Sequence, residues 1–155
     1  MKKFEFRLDR VMDAYRAQEQ DILRKFANAM QHLSQEKNRL EDVRNKISSR
    51  DEELRKKARE PMAVGNALMD SLYSDKLRQD AKLIRKEVHL REKKVNEVRV
   101  ELAEAVRRRK VVELLREKKL EEYKLELKRS EQLETDEHTA RKFAKRSTIE
   151  LPTDG

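Results

Sequence analysis

Apolar side chains recur along this chain at steps of three, four or seven residues, between runs of charged residues. Such spacing places them on one face of an α-helix. In the first part of the chain the positions are Leu8, Val11, Tyr15, Ile22, Phe26, Met30, Leu33, Leu40, Val43, Ile47, Leu54 and Ala58. In the second part they are Ile84, Val88, Val95, Val98, Leu102, Ala105, Val112, Leu115, Tyr123 and Leu127. The pattern predicts two long amphipathic helices.

Proline and glycine, the strongest helix breakers, occur in two places. Pro61 and Gly65 lie near the middle of the chain, and the other pair lies at its C-terminal end. We therefore predict one helix over about residues 4–58 and a second over about residues 66–146. A reversal within residues 59–74 joins them.

The segment 59–74 is too apolar for a plain loop. Ser71 and Ser74 are each suitable N-caps, so a short separate helix near the turn is an alternative to a loop. After residue 146 the periodic pattern stops, and we predict a disordered tail over residues 147–155.

Two apolar stripes on one chain bury each other most readily as an antiparallel pair. The predicted fold is therefore all-α, with two long helices forming an antiparallel coiled-coil hairpin that makes one domain of residues 1–146. In this pairing Leu40 faces residues 88–92. A homodimeric structural coiled coil is the alternative, and the break at Pro61 favours a monomer.

Each stripe contains one step of eleven residues, from Ile22 to Leu33 and from Val112 to Tyr123. In a heptad pattern such a step inserts four extra residues and locally relaxes the left-handed supercoil. We expect one such stutter in each helix.

The composition agrees with a coiled coil rather than a globular domain. Charged residues make up 45% of the chain and aromatic residues 5%, which is enough for a narrow stripe but not for a core with several faces. Periodic apolar residues and charges of alternating sign disfavour disorder. The formal net charge of +8 favours acidic partners, with nucleic acid and anionic lipid as further classes.

Nothing in the sequence has the pattern of an enzyme, so we expect neither catalysis nor a cofactor. The chain has no cysteine, and His32, His89 and His138 lie too far apart in sequence to pair as metal ligands on one helix. There is no glycine-rich phosphate loop and no nucleophile with a neighbouring base. We also expect no signal peptide, and no apolar run long enough for direct membrane insertion.

The densest basic run, Arg107 to Lys110, lies inside the apolar stripe with glutamates close by. A DNA-binding basic region precedes its zipper and lacks acids, so we expect no nucleic-acid binding, and a nucleic-acid-binding rod is the less favoured alternative. An electropositive collar for an acidic protein and a plain solubilising face are the two remaining interpretations.

Both ends of the chain carry motifs. The first is Phe4-x-Phe6-x-Leu8-x-x-Val11, followed by Arg16 and Glu19. The second is Arg129-x-Glu131-Gln132-x-x-x-Asp136-Glu137, preceded by a stretch that contains Tyr123. Together with the position of the reversal, these motifs resemble the flagellar export protein FliJ family over nearly the whole chain. Leu133, where lysine is common in that family, is a small departure.

The resemblance implies a non-enzymatic stalk component of the flagellar type III protein export apparatus. Members of this family resemble the central stalk (gamma) subunit of rotary ATP synthases. The implied partners are the pore of a hexameric export ATPase, whose ring assembly the stalk promotes, the cytoplasmic domain of the export gate, and export chaperones. The implied location is cytoplasmic, peripheral at the inner membrane. Injectisome stalk proteins are close in shape and are a further alternative.

Two sets of residues are predicted to bind these partners. The expected ATPase-binding residues are Phe4, Phe6, Arg129, Gln132, Asp136 and Glu137. They lie at the end with both termini, where we expect the second helix to continue for roughly 20 residues without a partner inside the chain. The expected export-gate-binding residues are Tyr73, Leu77 and Ile84, which share a stripe just past the turn, where the first helix is expected to cover them least.

Overall fold

A computed structural model describes residues 2–61 and 63–149. Its two helices are α1, Asp9–Lys57, and α2, Val64–Ile149, and the described residues contain no strand. The helices pack against each other as an all-α hairpin, as the sequence predicts.

The first helix begins at Asp9 instead of near residue 4. Residues 2–6 have no regular secondary structure, and Leu8 caps α1 by accepting a hydrogen bond from the Met12 amide at 2.9 Å. Phe4 and Phe6 explain the late start. In an extended segment residues i and i+2 lie on one face, whereas in a helix they point apart. Both rings belong to one apolar cluster, which favours the extended conformation.

The second helix begins at Val64, so the predicted reversal over 59–74 is too long and no separate short helix forms. The Ala63 carbonyl accepts hydrogen bonds from the amides of Asn66 and Ala67, both at 3.1 Å. Ser71 and Ser74 therefore lie inside the helix and do not cap it. Residues 66–73 are rich in Ala, Leu and Met, which favour helix, and the glycine next to Val64 is tolerated in the first turn.

The predicted disordered tail is wrong for residues 147–149, which belong to α2. Ser147 and Thr148 donate side-chain hydrogen bonds to the Ala144 carbonyl, both at 2.9 Å. The remainder of that prediction, residues 150–155, lies outside the described residues.

Contacts within the chain group it into two compact units. The central unit comprises residues 16–107, and the terminal unit comprises residues 2–15 with 108–149 of the described chain. The prediction of one domain over residues 1–146 stays a prediction.

Ion pairs within the central unit show that its two helical segments run antiparallel. Lys25 pairs with Glu101 at 3.1 Å, Lys37 with Glu92 at 3.7 Å, and Asp51 with Arg78 at 3.5 Å. As the residue number rises along α1, the number of its partner on α2 falls. Leu40 clusters with Ala81 and Ile84, and Val88 packs beside this cluster. Val88, the first of the predicted partners 88–92, therefore lies beside Leu40, and the Lys37–Glu92 pair lies one turn away on both helices, in agreement with the predicted pairing.

We call the line of buried and half-buried positions on each helix its seam. In the central unit the seam of α1 alternates steps of four and three without a break, so the stutter predicted between Ile22 and Leu33 is wrong. Ala29 is buried, whereas Met30 is 41% exposed. The sequence analysis assigned Met30 to the stripe because its side chain is larger than that of Ala29. The seam positions are Ile22, Phe26, Ala29, Leu33, Glu36, Leu40, Val43, Ile47, Arg50 and Leu54.

The seam of α2 in the central unit contains the predicted residues from Ile84 to Ala105. Val98 has no exposed surface, and Val95 is only 3% exposed. Valine and alanine predominate among the most buried residues. Side chains of this size allow two helices to pack closely. The buried α2 side chains here are Leu77, Ala81, Ile84, Val95, Val98 and Ala105.

In the terminal unit Met12 is buried and Val11 is 38% exposed, so the predicted stripe is one residue off at this point. On α2, Arg116 and not Leu115 is half-buried. Two successive steps of four residues follow Val112, which confirms the stutter predicted between Val112 and Tyr123. The seam positions of α2 here are Arg109, Val112, Arg116, Leu120, Tyr123, Leu127 and Ser130.

Candidate functional site

The first candidate region lies in the central unit, where α2 begins. The Arg50 guanidinium pairs with the Asp70 carboxylate, and its carbon lies 5.0 Å from the centre of the Tyr73 ring. The Arg50 and Asp70 side chains are only 20% and 15% exposed. This pair fastens α1 to the first turns of α2, and the cation–π contact holds one face of Tyr73.

Around this pair α2 presents a broad apolar surface. Tyr73 is 47% exposed and Leu72 is 60% exposed. Val64, Leu68 and Met69 are exposed to a greater extent. Five exposed apolar side chains within residues 64–73 of a highly charged protein are typical of a binding surface.

The three predicted gate-binding residues do not share this surface. Leu77 and Ile84 are buried, with 8% and 5% of their surface exposed, and Ile84 clusters with Leu40. The expectation that the first helix covers them least is therefore wrong. They occupy seam positions, because each lies a multiple of seven residues from Val98. Of the set, only Tyr73 is accessible.

The second candidate region is the N-terminal segment in the terminal unit. Phe6 is buried with Met12 and Val112, and Phe4 packs beside them. The Phe4 ring centre lies 5.5 Å from that of Tyr123, and the Tyr123 hydroxyl donates a 2.8 Å hydrogen bond to the Lys2 carbonyl. Both phenylalanines therefore hold the segment against α2. Phe6 is not a free surface anchor.

The third candidate region is the C-terminal extension, by which we mean residues 131–149 of α2. Every side chain in it is exposed, so this part of α2 continues, as predicted, without a partner among residues 2–61 and 63–149. At a rise of 1.5 Å per residue the extension is about 28 Å long. Leu133 is 64% exposed and Phe143 is 73% exposed.

The four predicted polar residues lie on or beside one face of the helix, Arg129 just before the extension and the other three within it. Arg129, Gln132 and Asp136 follow at steps of three and four, and Glu137 is adjacent. Phe143 lies seven residues after Asp136 and completes the same face. We call Arg129, Gln132, Asp136 and Phe143 the extension face. It combines an apolar side chain with charged and amide groups, a composition suited to protein recognition.

The predicted basic run contributes to the seam. Arg109 is half-buried and its guanidinium lies 2.9 Å from the Glu113 carboxylate, while its neighbours Arg107, Arg108 and Lys110 are exposed. Residue 109 falls at a seam position, so its charge is largely engaged within α2.

No group of histidine and acidic side chains among residues 2–61 and 63–149 is arranged to hold a metal ion. No helix in this part of the chain is long and apolar enough to cross a bilayer.

These features define an all-α helical-hairpin protein whose second helix continues beyond its packed region. The family model described as the flagellar FliJ protein matches residues 4–148. The chain belongs to this family and is a flagellar export-related stalk protein. Searches of curated proteins and of solved structures returned no significant match.

Sequence reasoning missed Arg50 and Asp70. The signal for Arg50 was its place in the heptad pattern, three residues after Ile47 and four before Leu54. A charged residue at such a position requires a partner. The alternation of Phe4, Phe6 and Leu8 was likewise a signal for an extended segment.

Proposed function

We propose that the extension face of α2 binds the pore of the hexameric export ATPase and promotes assembly of its ring. The proposal rests chiefly on one observation, that every side chain of residues 131–149 is exposed in a helix that begins as part of a packed pair. An exposed helix of this length with an aligned phenylalanine is typical of a helix that docks into a groove of another protein.

In this proposal the residue types of the extension face have separate tasks. Phe143 supplies apolar burial, and Arg129, Gln132 and Asp136 set the register through hydrogen bonds and ion pairs. Phe4 and Phe6, which the sequence placed in the same binding set, act indirectly by fixing the start of the chain on α2. The protein works as a monomer and carries out no catalysis itself.

Truncation after Lys128 tests the ATPase contact. It removes the extension face but leaves every buried residue, so we expect the thermal unfolding midpoint to change little. We expect the stimulation of ATP hydrolysis by the purified ATPase, and the stimulation of its ring assembly, to fall by about tenfold or more.

A full-length variant with Gln132→Ala and Asp136→Ala is the matched control for chain length. It keeps all helix residues, and we expect it to lose part of the stimulation. If the truncated chain stimulates hydrolysis and ring assembly as well as the full chain, the extension is not the ATPase-binding element.

The accessible apolar surface at the start of α2 is the second proposed contact, with the cytoplasmic domain of the export gate. This contact would hold the protein at the cytoplasmic face of the inner membrane, where it escorts export chaperones. The exposure of Leu72 and Tyr73 supports it, since both side chains present apolar area at no cost to the core.

A double variant, Leu72→Ala with Tyr73→Ala, is expected to lower affinity for the isolated gate domain by about tenfold in a binding titration. Leu83→Ala with Leu90→Ala is the matched control, because these leucines are 55% and 57% exposed on the same helix. Equal affinities of the two double variants would exclude this surface as the gate contact.

A further inference from the structure

An open apolar groove lies within the terminal unit, between the N-terminal segment and α2. Phe4, Phe6 and Leu8 line one side, Leu115 and Lys119 line the other, and the volume is about 470 Å³. This volume admits at least one large apolar side chain.

The apolar surface continues from the groove along α2. Val111 is 65% exposed, Leu114 is 64% exposed and Leu115 is 38% exposed. Val111 and Leu115 are four residues apart and adjacent on the helix surface. The groove therefore opens onto a longer apolar strip, which matches the contact face of an amphipathic helix.

Positive charge surrounds this strip. Arg7, Arg108 and Lys118 are exposed, and none forms a salt bridge with any residue among 2–61 and 63–149. Lys119 pairs with Glu122 at 3.2 Å, but both side chains are more than half exposed, so this pair contributes little and exchanges easily. Several cations are thus available to a ligand.

We propose that this groove and strip dock an acidic amphipathic helix of a partner protein. A leucine or phenylalanine of that helix enters the groove against Leu115, and its carboxylates face Arg7, Arg108 and Lys118. The proposal is independent of the ATPase contact, because truncation after Lys128 removes no residue of the groove.

The surroundings favour an acidic protein over two other occupants. Glu5 lines the groove beside Arg7. A helix can place its carboxylates against the cations and leave Glu5 opposite a neutral residue, whereas an anionic bilayer meets Glu5 with negative charge everywhere. A second copy of this chain in a symmetric pair would bring the same cations face to face.

The test uses the full-length protein and a synthetic fluorescein-labelled peptide helix with leucine on one face and glutamate on the other. We expect saturable binding by fluorescence anisotropy that weakens as salt rises. Leu115→Glu is expected to lower affinity about tenfold or more, because it places a charge in the groove and repels the peptide. Leu90→Glu, an equal charge change on exposed α2 surface, is the control and is expected to change affinity less than about twofold.

Lys118→Glu and its control Lys86→Glu form a second pair of variants, both at exposed positions where the fold is not at risk. We expect Lys118→Glu to lower the affinity for the acidic peptide more than Lys86→Glu does. Circular dichroism checks that each variant remains helical. Equal binding of Leu115→Glu and Leu90→Glu would overturn the proposal, as would equal binding of a peptide with lysine in place of glutamate. Binding to anionic phospholipid vesicles without binding to the acidic peptide would identify a membrane as the occupant and also overturn it.

Discussion

Replacing Val98 by aspartate is expected to lower the free energy of unfolding by about 4 kcal/mol. Val98 has no exposed surface, so its substitute would place a carboxylate in the seam. A small protein has roughly 5–15 kcal/mol of stability in total, so a loss of this size removes a large share of it. Urea unfolding followed by circular dichroism measures the change.

Val100→Asp is the matched control for Val98→Asp. The two positions carry the same residue and lie two apart on α2, but Val100 is 63% exposed. We expect Val100→Asp to change stability by less than about 0.5 kcal/mol. Equal losses for the two variants would mean that the seam of α2 does not run through Val98.

Replacing Phe6 by alanine is expected to cost about 3 kcal/mol in the terminal unit. Phe6 is 8% exposed and clusters with Met12 and Val112, so the substitution leaves a cavity there. Because Phe6 lies in a segment without regular secondary structure, the loss is expected to release residues 2–8 first. Hydrogen exchange of residues 2–15 and 108–128, together with thermal unfolding, reports the effect.

Phe143→Ala separates a structural phenylalanine from a binding one. Phe143 is 73% exposed, so its removal is expected to leave stability and hydrogen exchange unchanged while reducing ATPase stimulation. If instead Phe6→Ala leaves residues 2–8 as protected as Phe143→Ala does, the N-terminal segment is not held through Phe6.

The helix breakers and the heptad spacing allowed the hairpin to be predicted with little ambiguity. Pro61 ended the first helix within a few residues of its observed end at Lys57, and the buried positions from Ile84 to Ala105 followed from spacing alone. These features depend on local backbone chemistry and on period, both of which are written in the sequence.

The candidate binding residues were harder to predict, because exposure depends on where the partner helix lies. Tyr73, Leu77 and Ile84 looked like one accessible stripe, yet the register buries Leu77 and Ile84 and leaves Tyr73 beside Arg50. Phe4 and Phe6 looked like surface anchors, yet their contacts with α2 place them in or beside a buried cluster.

The sequence by itself determined that this protein is a pair of long helices with a charged exterior, since helix breakers and a heptad period act locally. Only the tertiary structure decided which apolar side chains are available to partners. In a two-helix protein each helix has one covered side, and a shift of one residue turns a side chain by about 100° around the axis. Ala29 and Met30 differ in burial for this reason, and so do Met12 and Val11.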